Sequence, residues 1–161
     1  MPSLTVINTS PLIFLSKGGC LELLRVLSAE IVVPMAVRDE IYAYGEDDVT
    51  AKALRETDWL VVRQTPEIPT IIQNWDLGKG ESEVLAWGYR EKGTEIIVDD
   101  LAGRRCALAL GIPVRGTLGL VLVAKKRGVI SQARPVLETL RLTGMYLSDA
   151  VMNRALAKVG E

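Results

Sequence analysis

The stretch TEIIVDDLAGRRCALALGIPVRG, residues 94–116, predicts a strand, a helix and a second, very short strand in immediate succession. The first apolar run contains β-branched residues and ends at two aspartates, Asp99 and Asp100. LAGRRCALALG has a helical pattern, and IPV follows it. Because neighbouring parallel strands need a crossover connection, usually a helix, this stretch predicts part of a parallel sheet.

The same alternation extends towards the N-terminus. LTVIN predicts a strand, and SPLIFLSKG predicts a helix with Ser10 as its N-cap and Pro11 at its first position. CLELLRVL continues as a helix, and AEIVVP, MAVRDEIYAYG, DWLVVRQ and ESEVLAWGYREKG repeat the strand-then-helix order. We therefore expect an α/β fold with a mainly parallel sheet covered by helices on both faces. We expect a single domain over residues 1–161.

Composition limits the classes of partner. With 19 Lys and Arg against 20 Asp and Glu, the formal charge is -1, so any surface that attracts nucleic acid must be local. The N-terminus has no secretory signal pattern, and no apolar run approaches the length of about 20 residues that spans a bilayer. These observations predict a soluble, cytoplasmic protein without a membrane partner.

The chain contains no histidine, which excludes imidazole bases, Ser-His-Asp sites and histidine-bound zinc. The two cysteines, Cys20 and Cys106, lie far apart in apolar helical patterns and are expected to be buried thiols. Catalysis therefore falls to carboxylates, lysines, hydroxyls or an oxygen-bound metal. Oxygen ligands favour hard cations such as Mg²⁺ or Mn²⁺.

Polar residues follow two of the predicted strands. Asn8 ends the first strand, and Asp99 and Asp100 end the strand EIIV. In open α/β sheets, ligands bind beyond the carboxyl ends of the strands, where the strand order reverses. If the two strands are neighbours, these side chains face one crevice.

Two helices add carboxylates to that crevice. Glu40 lies at the edge of the buried face of its helix, and Glu81 lies one turn before the buried face of its own. The residues that define these two faces are Val37, Ile41, Tyr44, Leu85, Ala86 and Tyr89.

Each of these polar residues also has an ordinary structural explanation. Glu81 suits a helix start, Asp100 suits an N-cap, Glu40 can pair with Arg38 on the surface, and Asn8 can serve a turn. Together they indicate more, because like charges in one crevice repel one another unless a cation occupies it.

The segments VINTSPLI, VPMAVRDEI, GKGESEVLAWG and the long block from Val98 to Ile130 occur in an order that resembles the PIN-domain superfamily. The resemblance is to the PIN-like subgroup related to VapC-type toxins. It implies a three-layer α/β/α sandwich, acidic residues gathered around Mg²⁺ or Mn²⁺ at the strand ends, and cleavage of RNA.

Carried over residue by residue, the resemblance places Asn8 at the first acidic position, Glu40 at the second, Glu81 at the third and the Asp99-Asp100 pair at the last. These five residues are the implied metal ligands, and Glu40, Glu81 and Asp100 are the implied catalytic residues. Asp100 is favoured within its pair.

Glu83 is the substitute for Glu81. Lys79 and Arg104 are the candidate RNA contacts, with Arg105 as an alternative to Arg104. An antitoxin protein and a second copy of the chain are the implied protein partners.

The departure from the pattern is Asn8, where the family has aspartate. An amide oxygen can bind a hard cation but contributes no charge and cannot act as a general base. Two hypotheses follow: a metal-dependent ribonuclease, and a PIN-like binding module with a degraded metal site that acts through RNA, an antitoxin or dimerisation. A phosphotransfer receiver is a third alternative, but it needs a lysine at a late strand end, where IPVRG offers arginine.

Overall fold

A computed structural model describes residues 4–161 of the protein. Five strands in this range form one sheet. The strands are β1 (Leu4–Ile7), β2 (Ile31–Pro34), β3 (Leu60–Arg63), β4 (Thr94–Ile97) and β5 (Val114–Arg115). The α-helices are α1 (Thr9–Lys17), α2 (Met35–Tyr42), α3 (Val49–Glu56), α4 (Thr70–Gln73), α5 (Lys79–Arg90), α6 (Leu101–Ala109), α7 (Thr117–Lys126), α8 (Arg134–Leu142) and α9 (Asp149–Ala157).

The strand order in the sheet is β3-β2-β1-β4-β5, and every pair is parallel. The chain therefore builds the sheet outwards from β1 in one direction and then returns to place β4 on the other side of β1. In the β1–β4 pair, Ile7 lies opposite Ile97. The strand order reverses between these two strands, which is where α/β sheets of this type bind ligands.

The central strands are mostly apolar and are covered on both faces; their polar residues are Thr5, Thr94 and Glu95. Val6, Ile7, Ile96 and Ile97 have no exposed surface, and neither do the first three residues of β2. Helices flank the sheet on both sides, which confirms the expected three-layer α/β/α architecture. Such burial explains why these strands are near-continuous apolar runs rather than alternating ones.

Local details differ from the sequence predictions. Helix α1 begins at Thr9 with Asn8 as N-cap, two residues earlier than the predicted start with Ser10 as N-cap and Pro11 as first helical residue. The segment Leu21–Val26 is a 3-10 helix rather than part of a longer α-helix. Tyr44 and Tyr89 were wrongly assigned to buried helix faces, since they are 67% and 42% exposed.

The other expectations concern single features of the chain. Both cysteines are free thiols; Cys106 is buried and Cys20 is partly buried. Within residues 4–161, every helix is too short or too polar to traverse a lipid bilayer. The single domain expected over residues 1–161 includes residues 1–3, which lie outside the described residues, and it stays a prediction.

Gly88 allows helix α5 to pack closely against the sheet. A Cβ atom at this position would lie 2.5 Å from Ile112 Cγ2 and 3.1 Å from Ile96 Cγ2. Both isoleucines are buried and branched at Cβ, so their methyl groups have little freedom to move away.

We therefore expect Gly88→Ala to lower the free energy of unfolding by about 1–3 kcal/mol, although alanine is the better helix former. The measurement is urea denaturation of wild type, Gly88→Ala, Ile112→Ala and the double variant. Because Ile112→Ala removes the nearest methyl group, Gly88→Ala should lower the free energy of unfolding by less in the Ile112→Ala background than in wild type. Equal costs in both backgrounds would contradict this account of the packing.

Candidate active site

Asn8 occupies the junction between β1 and α1. Its backbone N–H donates to Ile97 O at 3.0 Å, which extends the β1–β4 pairing to the end of the strand. The residue is 4% exposed, yet its side chain makes no cap hydrogen bond to α1. Asn8 thus lies at the switch point of the sheet. Asp99 and Asp100 follow the neighbouring strand, β4, as the sequence predicted.

Glu40 connects the starts of two helices. Its Oε2 accepts a hydrogen bond from Thr9 Oγ1, and its Oε1 accepts one from Gly80 N at 3.2 Å. Thr9 is the neighbour of Asn8, and Gly80 is the neighbour of Glu81. The carboxylate of Glu40 therefore lies between two other candidate ligands, and its predicted position at the edge of the crevice agrees with these contacts.

Gly80 is required for this arrangement. A Cβ atom at position 80 would lie 2.6 Å from Glu40 Oε1 and 3.1 Å from Glu40 Oε2. Only glycine allows the first turn of α5 to approach the carboxylate this closely.

Glu81 lies in the first turn of α5, partly buried. Burial raises the pKa of its carboxyl above the ordinary value, and the charges of Asp100 and Glu40 raise the pKa further. A Cβ atom on Gly103 would lie 3.9 Å from Glu81 Oε2 and 3.7 Å from Asp100 Oδ2, so both carboxylates border the same point. Three acidic side chains from α2, α5 and the start of α6 therefore repel one another across the crevice.

The two aspartates after β4 have different surroundings. Asp100 is the N-cap of α6, and its Oδ2 accepts from Gly103 N at 2.9 Å. Asp99 uses both of its oxygens on Thr117, accepting from the backbone N at 2.7 Å and from Oγ1 at 2.6 Å. Asp99 thus binds the start of α7, whereas Asp100 borders the crevice with Glu81.

Glu83 lies away from this group. It is 8% exposed, and its Oε1 accepts from Ala36 N at 3.1 Å and from Thr65 Oγ1 at 2.7 Å. Two residues apart on a helix, Glu81 and Glu83 point in nearly opposite directions. The contacts of Glu83 hold α5 against the first turn of α2 and the segment that follows β3.

The donor chemistry of the crevice suits a hard divalent cation, because every candidate ligand offers oxygen. The spacing is looser than a closed metal cage: among residues 4–161, no three His, Cys, Asp or Glu side chains are placed to hold an ion together. Mg²⁺ usually keeps several waters and binds one or two carboxylates directly. The side chains present therefore fit a hydrated ion better than a fully protein-coordinated one.

A cavity of about 950 Å³ opens beside the acidic crevice, and we call it the C-terminal cavity because α9 forms one wall. Asp99, Asp100 and Ser10 line its acidic end. Arg104 also lines it, with Nη1 donating to Val98 O at 3.3 Å. Other lining residues used below are Phe14, Arg115, Leu118, Leu122, Tyr146, Arg154 and Lys158.

The other two candidate RNA contacts, Lys79 and Arg105, lie outside the C-terminal cavity. Lys79 is the first residue of α5 and is exposed, two residues before Glu81 and outside the lining of the cavity. Arg105 is exposed and also outside that lining. Arg104 is therefore the arginine of the pair that faces the cavity.

Sequence reasoning missed the residues that bind the carboxylates. Thr9, Gly80, Gly103 and Thr117 each donate a hydrogen bond to a candidate ligand. Thr9 and Gly80 are sequence neighbours of Asn8 and Glu81, which is the only signal that the sequence carried for them. The pairing of Asp99 with Thr117 joins two separate elements and had no local signature.

The raised pKa of Glu81 predicts a pH-dependent stability in the metal-free protein. A carboxyl whose pKa is higher in the folded state favours folding below its ordinary pKa, and that contribution is lost as the pH rises through the raised value. Glu81→Gln should therefore match wild type at acid pH and have a higher Tm at neutral pH, in EDTA. Glu138→Gln, an exposed position on α8, is the control and should show no such pH pattern; identical curves for Glu81→Gln and wild type would contradict the prediction.

Comparison with known proteins agrees with this fold. A family profile described as a PIN domain, DUF3368, matches residues 4–161. No curated protein matched the chain. The PIN superfamily is of nuclease type, and its members generally use divalent metal ions. The match extends over nearly the whole sequence, and the chain belongs to the PIN-domain family.

Proposed function

We propose that the protein is a metal-dependent ribonuclease of the PIN type, related to VapC toxins, that hydrolyses RNA phosphodiesters with Mg²⁺ or Mn²⁺. The observation that carries the proposal is the convergence of Glu40, Glu81 and Asp100 beside Asn8. Burial together with the charges of Asp100 and Glu40 raises the pKa of Glu81, which is the expected state of a carboxylate group that awaits a cation.

Each residue has a distinct role in this proposal. Glu81 is the most available direct ligand, because no hydrogen bond within residues 4–161 engages its carboxylate. Asp100 uses one oxygen on a backbone N–H and has the other free, whereas Glu40 accepts one hydrogen bond on each oxygen, from Gly80 N and from Thr9 Oγ1. Each accepting oxygen still has a second lone pair for the ion or its waters. Asn8 supplies a neutral amide oxygen. Asp99 positions α7 through Thr117 and is not a direct ligand of the ion in this proposal.

The cation would lower the pKa of an attacking water and neutralise charge that develops on the phosphate. The chain supplies the rest: Glu40, Glu81 and Asp100 orient the water, and Arg104 meets the phosphate from the cavity side. This chemistry needs no histidine, in agreement with the composition.

A second candidate function is a binding module that keeps the fold without cleavage. Two observations favour it: Asn8 brings no charge, and no three acidic side chains in the described part of the chain are placed to hold an ion together. In that case the same crevice serves RNA, an antitoxin or a dimer interface.

The resemblance implies an antitoxin protein as a partner and a homodimer, and we also propose a cytoplasmic location. Light scattering at micromolar concentration measures the dimer directly, and a monomer there would rule it out.

The test of the function is cleavage of a mixed RNA pool in Mn²⁺. We expect cleavage by wild type that EDTA abolishes, and Asn8→Asp should bind Mn²⁺ more tightly and cleave faster because it adds a charge to the site. Glu81→Gln should reduce affinity for Mn²⁺ by about 10- to 100-fold and reduce cleavage in parallel. The measurements are calorimetric Mn²⁺ titration and gel analysis of the products.

Glu138→Gln, purified in the same way, controls for contaminating ribonucleases. Cleavage that persists unchanged in Glu81→Gln would assign the activity to a contaminant and contradict the proposal. No cleavage by wild type but cleavage by Asn8→Asp would indicate a scaffold that lost activity at one residue. Absence of cleavage and of Mn²⁺ binding in both would favour the binding module.

A further inference from the structure

One face of α9 forms a wall of the C-terminal cavity. Val151, Arg154 and Ala155 line it together with Lys158, the C-cap residue directly after the helix, at the spacing of three and four residues that places side chains on one helix face. The lining also includes residues from the start of α7 and Arg104 on α6. The cavity therefore runs from the acidic crevice to the last helix of the described chain.

The charge of this cavity differs from that of the whole protein. The chain has a formal charge of -1, whereas the lining includes four cations, Arg104, Arg115, Arg154 and Lys158, and two acids, Asp99 and Asp100. Arg115 is paired with Glu95 at 3.0 Å. Across residues 4–161, Arg154 and Lys158 have no ion pair or hydrogen bond from their side chains, so their charges are available to a ligand.

An aromatic side chain stands at the rim. Tyr146 is 92% exposed although it lies between Met145, which is 8% exposed, and the partly buried Leu147. Arg141 fixes this segment, because its Nη1 donates to Leu147 O at 3.2 Å and to Asp149 Oδ1 at 2.7 Å. The ring is therefore presented to solvent by a segment that is held on both sides.

We propose that the C-terminal cavity binds a single-stranded segment of RNA next to the scissile position, with Arg154 and Lys158 on phosphates and Tyr146 stacked on a base. The proposal rests on the proposed ribonuclease function in that the acidic end of the cavity is the catalytic crevice. It names residues that bind substrate but do not take part in the chemistry.

Charge and surface chemistry together favour this occupant. Single-stranded nucleic acid binds where cations follow the backbone and aromatic rings stack on bases. The apolar floor, which includes Phe14, Leu118 and Leu122, suits the faces of bases. A volume of about 950 Å³ lies within the range of ligand sites, roughly 300–1,000 Å³. An acidic peptide would satisfy the two cations but leaves the exposed ring without a role.

The experiment measures binding without cleavage. A fluorescein-labelled RNA of about ten nucleotides and mixed sequence is titrated with full-length protein in EDTA, and anisotropy is followed over a series of salt concentrations. The Arg154→Ala, Lys158→Ala double variant should bind about fivefold more weakly per cation removed at low salt. Its slope of log affinity against log salt should be shallower by about 0.7 per cation. Tyr146→Ala should bind about fivefold more weakly or worse, with an unchanged slope.

Matched controls lie outside the cavity. The Lys52→Ala, Lys92→Ala double variant removes two exposed cations and so makes the same change in net charge. Tyr44→Ala removes another exposed tyrosine. Both should bind like wild type, and circular dichroism melts confirm that all variants fold. Equal losses in the control and test variants, or wild-type affinity in the test variants, would overturn the proposal and leave a peptide as the better occupant.

The result is separable from the ribonuclease test. Binding that depends on these residues without any cleavage in Mn²⁺ supports the inference and contradicts the catalytic proposal. EDTA-sensitive cleavage together with RNA binding that is unchanged by substitution of Tyr146, Arg154 and Lys158 supports catalysis and overturns the inference.

Discussion

The parallel pairing of β1 with β4 is the constraint on which the site depends. It joins the first strand of the sheet to the fourth along the chain and reverses the strand order between them. Asn8 and the Asp99-Asp100 pair thereby emerge at one edge, side by side. Without this pairing, the two polar strand ends would not lie side by side at the edge where Glu81 of α5 borders Asp100.

Close backbone approach completes the site. At Gly80 a Cβ atom would collide with the Glu40 carboxylate, whereas at Gly103 it would lie 3.0 Å from Val98 Cγ1 and in ordinary contact with Asp100 and Glu81. At Gly116 a Cβ atom would lie 2.7 Å from Arg104 Nη1 and 3.0 Å from Asp99 Oδ1. Gly80 and Gly116, at two helix starts, therefore let the main chain approach carboxylates closely. This close packing is electrostatically unfavourable, because the Glu81 carboxylate lies near the like charges of Asp100 and Glu40.

Much of this could be predicted from the sequence, because the relevant signals are local. Alternating strands and helices indicated a parallel sheet, and strand ends marked Asn8 and the aspartates. The absence of histidine and cysteine pairs directed attention to oxygen ligands. The different hydrogen-bond partners of Asp99 and Asp100 could not be predicted, because the partner of Asp99, Thr117, belongs to another element of the chain. Tyr44 and Tyr89 were misassigned because both lie where their helices end or leave the core, and periodicity alone does not show where a helix stops being covered.

The β1–β4 pairing also affects when the site can form during folding. Leu4 lies opposite Thr94, so the sheet edge that carries Asn8 closes only after the intervening strands and helices have been arranged. Asp99 then needs Thr117 from a still later segment. On a ribosome, where chains emerge from the N-terminus, the acidic crevice would stay open until α7 has been synthesised. A nascent chain would thus be unable to assemble this crevice before most of its sequence exists.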